Sequence, residues 1–168
     1  AAKMIAGDFT DVNCLENLEF DMIYSLGNSV GLIAQLSGYE KIITRFSKLL
    51  RPKGLLIFQT INLERERNGW SNPRQIKTEE GEYIFMRRFA TDEQFVHPEI
   101  VTLFKSVNSE TWEMAVRGPS NIPRINHVEM ESLLQKYGFT NIRLYGNYQK
   151  AIFDSEKSVD MIWVSQKR

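Results

Sequence analysis

The sequence has one cysteine, Cys14, only two histidines, and no excess of either charge. A lone cysteine closes no disulfide within the chain, and no Asn-x-Ser/Thr acceptor occurs, so the sequence suits a reducing, cytoplasmic compartment. His97 and His127 are too few for a metal centre, which normally takes three or four ligands. Twenty-one basic residues cancel twenty-one acidic ones to a formal net charge of +0. No global field therefore steers the chain to nucleic acid or to an anionic membrane surface. Every apolar run falls well short of the ~20 residues that a membrane-crossing helix needs. Ten glycines are present, yet none forms the Gly-x-Gly-x-x-Gly pattern that cradles phosphates after the first strand of a dinucleotide fold. These absences leave a soluble protein with a small neutral or zwitterionic partner.

The length of 168 residues fits one domain, which at this size buries about 70% of its unfolded surface. Met4-Ile5-Ala6 reads as a short strand stopped by Gly7-Asp8. Phe20-Asp21-Met22-Ile23-Tyr24-Ser25 is an apolar strand opened by an acidic residue, and it runs into the small-residue loop Leu26-Gly27-Asn28-Ser29. Ile42, Ile43, Phe46, Leu49 and Leu50 share one helical face until Pro52 and Gly54 stop the helix. Leu55-Leu56-Ile57-Phe58 lacks polar alternation, the pattern of a strand buried on both faces. Strand, helix and strand thus form a parallel unit whose strands end in polar loops, at Asn28 and at Asn62. Open α/β sheets bind ligands at such carboxyl ends.

From Asn62 the pattern changes to a period near two. Tyr83, Phe85, Arg87 and Phe89 share one face, Ile84, Met86 and Arg88 the other. Val101–Lys105 and Trp112–Val116 are expected to be antiparallel partners across the Asn108-Ser109-Glu110 turn. Residues 63–125 are therefore expected to be an inserted antiparallel layer on the substrate side. Asn126 with Glu129 then predicts a capping box, Gly138 a helix stop, and Asn141–Tyr145 and Val159–Val164 two closing strands.

Gly7-Asp8, Phe20-Asp21, Leu50-Arg51-Pro52-Lys53-Gly54 and the helix end Lys136-Tyr137-Gly138-Phe139 occur in the order that resembles the later part of a class I S-adenosylmethionine-dependent methyltransferase. Leu26-Gly27-Asn28-Ser29 and Asn62 look like its glycine and sarcosine N-methyltransferase branch and small-molecule relatives. That branch can place a carboxylate-clamping arginine where this chain has Ile61, which argues against glycine itself as acceptor. The resemblance implies an α/β Rossmann-like sheet (C-terminal part) in a single domain, residues 1–168, truncated before its third strand. It implies S-adenosylmethionine as cofactor and a small-molecule methyl acceptor, an amine, with a homo-oligomer possible. The alternative is a methyltransferase-like fragment or interaction module that neither binds cofactor nor catalyses.

Roles follow from the same resemblance. Asp8 would bind the adenine amino group with Phe9 flanking the base, and Ser25 and Leu26 would line the methionine end. Asn28, which offers both a donor and an acceptor, would contact the reacting acceptor. Asn62, Tyr24 and Arg87 would complete the substrate side, with Tyr83 and Arg88 as further candidates.

Overall fold

The computed structural model describes residues 4–7, 15, 18–66 and 68–168. The chain is mixed α/β and divides into two compact units, one from residues 1–65 and 125–168 and the other from residues 66–124.

The first unit holds β1 (Phe20–Ser25), α1 (Ser29–Leu49), β2 (Leu50–Ile61), α2 (His127–Lys136), β9 (Phe139–Tyr145) and β10 (Asp160–Lys167). Its sheet runs in the order β1-β2-β10-β9. β1 lies parallel to β2, while β10 runs antiparallel to both β2 and β9. The parallel pair and the closing antiparallel pair are those the sequence predicts. The aromatic rings of Phe46 from α1, Phe58 from β2 and Trp163 from β10 stack in series, with centroids 6.4 and 6.2 Å apart. Ile42, Ile43, Leu56, Met130, Leu134 and Phe139 surround them, all buried.

Three expectations need correcting. Met4–Ala6 forms no strand, and Met4 is almost wholly exposed; three apolar residues specify no partner, and none of the described strands pairs with them. Leu50 opens β2 instead of ending α1, because Phe20 pairs with it before an irregularity carries the register to Met22 and Leu55. Leu55 and Ile57 are only half-buried, since α1 covers the opposite, Leu56–Phe58 face of β2.

α1 is interrupted at Gly38, whose φ of 72° and ψ of 157° lie outside the helical region. Glycine has no Cβ to oppose that conformation. Small buried residues, Val30, Gly31 and Ala34, hold the part before the break, and Tyr39, Ile42, Ile43, Phe46 and Leu49 the part after it. α2 starts at the predicted capping box: the Asn126 side chain accepts from Glu129 N–H at 2.9 Å, and Glu129 accepts from Asn126 N–H at 3.1 Å.

The second unit is an antiparallel sheet in the order β3-β5-β6-β7, with β4 also on β5 and β8 also on β6. Its strands are β3 (Gly69–Trp70), β4 (Arg74–Lys77), β5 (Gly81–Thr91), β6 (Phe95–Ser106), β7 (Glu113–Arg117) and β8 (Ile122–Pro123). Val96, Val101 and Ile122 are its buried apolar residues. Among the described residues no helix is long and apolar enough to cross a membrane.

Candidate active site

The loop after β1 is built from two consecutive left-handed residues, Gly27 at φ 73° and Asn28 at φ 64°. Glycine adopts that region without penalty, and asparagine tolerates it better than most residues. Asn28 also occupies the N-cap of α1, where an asparagine side chain ordinarily accepts from the first helical turn. Here it caps nothing on its own helix. Its Oδ1 instead accepts the backbone N–H of Ile61, at the end of β2, at 3.1 Å.

That bond belongs to a short chain of contacts across three strand ends. The backbone N–H of Asn28 donates to Gln59 Oε1 at 2.9 Å, and Gln59 Nε2 donates to Asp160 Oδ1 at 2.8 Å. Gln59, buried in β2, therefore links the loop after β1 to the first residue of β10. Sequence reasoning missed both Gln59 and Asp160. The available signal was a glutamine at the end of an otherwise apolar run, because a buried amide must find partners.

Asn28 Nδ2 makes no hydrogen bond to the described residues. Only an oxygen can accept from Ile61 N–H, so the amide orientation is fixed and the group left for a ligand is a donor. The expectation of both donor and acceptor at this residue narrows to the donor. Ser29 Oγ closes the loop by donating to Leu26 O at 2.9 Å. Ser25 is half-buried, Leu26 exposed, and Tyr24 67% exposed on the edge strand β1.

Asn62 is different in kind. Its side chain is fully buried, Nδ2 donates to the carbonyls of Ser155 at 2.8 Å and Ser158 at 3.0 Å, and Oδ1 accepts from Glu64 N–H at 3.0 Å and Arg65 N–H at 3.3 Å. Two donors and two lone pairs are all engaged. An acceptor molecule finds no hydrogen-bonding capacity there, and the residue ties the end of β2 to the connection before β10. Just beyond it, Glu64 Oε1 accepts from both the backbone N–H and Nδ1 of His127, at 2.7 and 2.8 Å, securing the start of α2.

The structure thus brings Ser25, Leu26 and Asn28 together at the carboxyl ends of β1 and β2. Arg87 and Tyr83 lie in the second unit, on β5, and Arg88 sits over the Trp70 ring at 6.0 Å. Asp8 and Phe9 lie outside the described residues. Among the described residues no group of three or more His, Cys, Asp or Glu is placed to hold a metal ion.

No protein-family model and no curated protein matches the sequence. Solved structures do match in fold. An S-adenosylmethionine-dependent methyltransferase from Clostridium acetobutylicum is 14% identical with a TM-score of 0.72, over 97% of this chain and 63% of that one. The CcbJ methyltransferase from Streptomyces caelestis is 14% identical with a TM-score of 0.72, over 98% of this chain and 67% of its own. An amino pentose methyltransferase from Micromonospora echinaspora, solved with S-adenosylmethionine bound, is 13% identical with a TM-score of 0.73, over 96% and 63%. The fold is accordingly that of the class I S-adenosylmethionine-dependent methyltransferases. The chain spans about two thirds of the length of these proteins, and none of them points to the glycine and sarcosine branch in particular.

Proposed function

We propose that this chain takes part in methyl transfer from S-adenosylmethionine to a small-molecule amine. The observation that carries the reading is the state of Asn28: its carbonyl oxygen is locked onto Ile61 N–H while its amide nitrogen remains a donor at the carboxyl ends of β1 and β2. On this reading the chain would supply one wall of a cofactor and acceptor site. Ser25 and Leu26 would meet the methionine end of the cofactor, Asn28 a polar oxygen of the acceptor, and Asp8 and Phe9 the adenine. When bound, the cofactor supplies an electrophilic sulfonium methyl. The chain's own task is then positional, and orientation of this kind can contribute about 7–11 kcal/mol when the bound geometry is close to that of attack. Because the Asn28 loop is held from two sides, by Gln59 and by Ile61, its donor is fixed in place before a ligand arrives.

An amine is favoured over other acceptors on two grounds. Leu26-Gly27-Asn28-Ser29 resembles a branch that methylates amines, and one structure of similar fold is an amino pentose methyltransferase. Calorimetric titration of S-adenosylhomocysteine into the chain tests the reading: saturable binding at one site is expected. No heat at millimolar ligand would sink it and favour a methyltransferase-like module without cofactor, the reading suggested by the missing Gly-x-Gly-x-x-Gly pattern.

A further inference from the structure

In an antiparallel sheet, residues directly opposite one another share a face. Following the register from β4 through β5 and β6 to β7 gives one row of Arg74, Phe85, Thr102 and Ala115. The next row holds Arg87, Ile100 and Arg117. Three arginines of the second unit therefore stand on a single face. Arg74 and Arg87 are diagonal neighbours, at about 7–8 Å, and Arg117 lies two strands from Arg87, at about 10 Å.

None of the three guanidinium groups has an ion pair or hydrogen bond to the described residues. The opposite face of the same strands is arranged differently, for there Glu82 faces Lys105 and Arg88 faces Glu99. Each lysine and arginine on that side stands opposite a carboxylate, whereas on this one each arginine has Phe or Ile beside it. The face's one carboxylate, Glu113, pairs with Phe104 two rows away from Arg117. Beneath the arginines lies a flat apolar floor. The Tyr83 and Phe85 rings stack with centroids 5.9 Å apart, and Tyr83 stacks on Phe104 at 4.6 Å. The three arginines, Tyr83 and Phe85 line a concavity of about 530 Å³, within the roughly 300–1,000 Å³ of small-molecule sites.

From this geometry we infer that this face of the second unit is a binding site for a small organic anion, a phosphate or carboxylate carried on a flat apolar body. Guanidinium forks match both oxyanions in shape as well as charge, and they stack on aromatic faces. Three cations over a cavity of this size suit one compact anion, and the chain's zero net charge supplies no longer track for a polyanion. The site stands independently of the function proposed above.

The test titrates phenyl phosphate and benzoate into the full chain, with inorganic phosphate and phenol as controls and S-adenosylhomocysteine in parallel. Phenyl phosphate or benzoate should bind at one site more tightly than either control. Arg87→Gln should weaken that binding by about tenfold or more, the loss of a charge-assisted contact. Phe85→Ala should weaken phenyl phosphate but not inorganic phosphate, and circular dichroism should show both variants folded. Binding unchanged in Arg87→Gln would overturn the assignment. So would a single-stranded oligonucleotide that binds at physiological salt where phenyl phosphate does not, or a dimer broken by Ile100→Glu in a chain that binds neither organic anion. Phenyl phosphate binding without S-adenosylhomocysteine binding upholds the site and removes the methyl-transfer reading; the reverse result overturns the site alone.

Discussion

The side-chain carbonyl of Asn28 accepts the backbone N–H of Ile61 at 3.1 Å across 33 residues of chain. One half of an amide thereby holds two strand ends together while the other half stays available, so structural and ligand roles of the residue can be separated by substitution. Asn28→Asp keeps the oxygen and removes the NH2 group. Its unfolding free energy in urea should stay close to that of the parent, because aspartate also tolerates the left-handed region. Asn28→Ala loses the bond and forces a Cβ-bearing residue without a local partner into that region, at a cost of about 1–3 kcal/mol. Both should reduce turnover or raise the KM for the methyl acceptor and leave S-adenosylhomocysteine affinity nearly unchanged. A loss of cofactor affinity in Asn28→Asp would assign the donor to the cofactor instead.

Gln59→Leu removes the bridge between Asn28 N–H and Asp160. It conserves bulk but strands a donor and a carboxylate, and about 1–3 kcal/mol of destabilisation is expected. Urea denaturation of the single variant, and of its double variant with Asn28→Ala, should show non-additive losses, because the two side chains act in one network. Additive losses would mean that the network is not a unit.

Asn62→Ala deletes four internal hydrogen bonds of a fully buried amide. A loss of about 2–4 kcal/mol follows if only part of the network re-forms with water. A variant with parental stability and impaired acceptor binding would restore the substrate role that the sequence suggested.

In the second unit, His97 Nε2 lies 2.8 Å from Asp92 Oδ2 and Nδ1 lies 2.9 Å from Asn121 Oδ1. The Asp92 hydrogen bond, above all, raises the His97 pKa above its ordinary value. The His97 bond, followed by the N–H groups of Phe95 and Gln94, lowers Asp92 to about 2. The raised histidine stabilises the folded chain fully below its unfolded pKa of about 6.5, and that contribution fades as pH rises through the folded value. The lowered aspartate stabilises above about 3.9 and loses its contribution as pH falls toward 2. The thermal midpoint should therefore be best supported by the pair between roughly pH 4 and 6.5. His97→Gln should flatten the decline on the alkaline side, as read by thermal denaturation across pH.

The capping box of Asn126 and Glu129 was legible because both partners lie within one helical turn. The parallel β1–β2 unit was legible because apolar runs and a Pro-Gly stop mark it. Asn28 and Asn62 read alike in sequence, each a polar residue after an apolar strand. What separates them is remote: Ile61 for one, and the Ser155 and Ser158 carbonyls, 93 and 96 residues away, for the other. The arginine face was hidden for a related reason. β4 is exposed at all four positions and shows no apolar alternation, so Arg74 joins Arg87 and Arg117 only through strand register.

The break at Gly38 divides the energetics of α1 as well as its axis. Amides before it are held through Val30, Gly31 and Ala34, which bury little surface, whereas amides after it belong to the Ile42–Phe46 core. Local opening follows such differences in buried contact. The helical turns before Gly38 can then open while the Asn28 loop, held by Gln59 and Ile61, and the aromatic stack stay shut, and hydrogen exchange should report two protection classes within one helix.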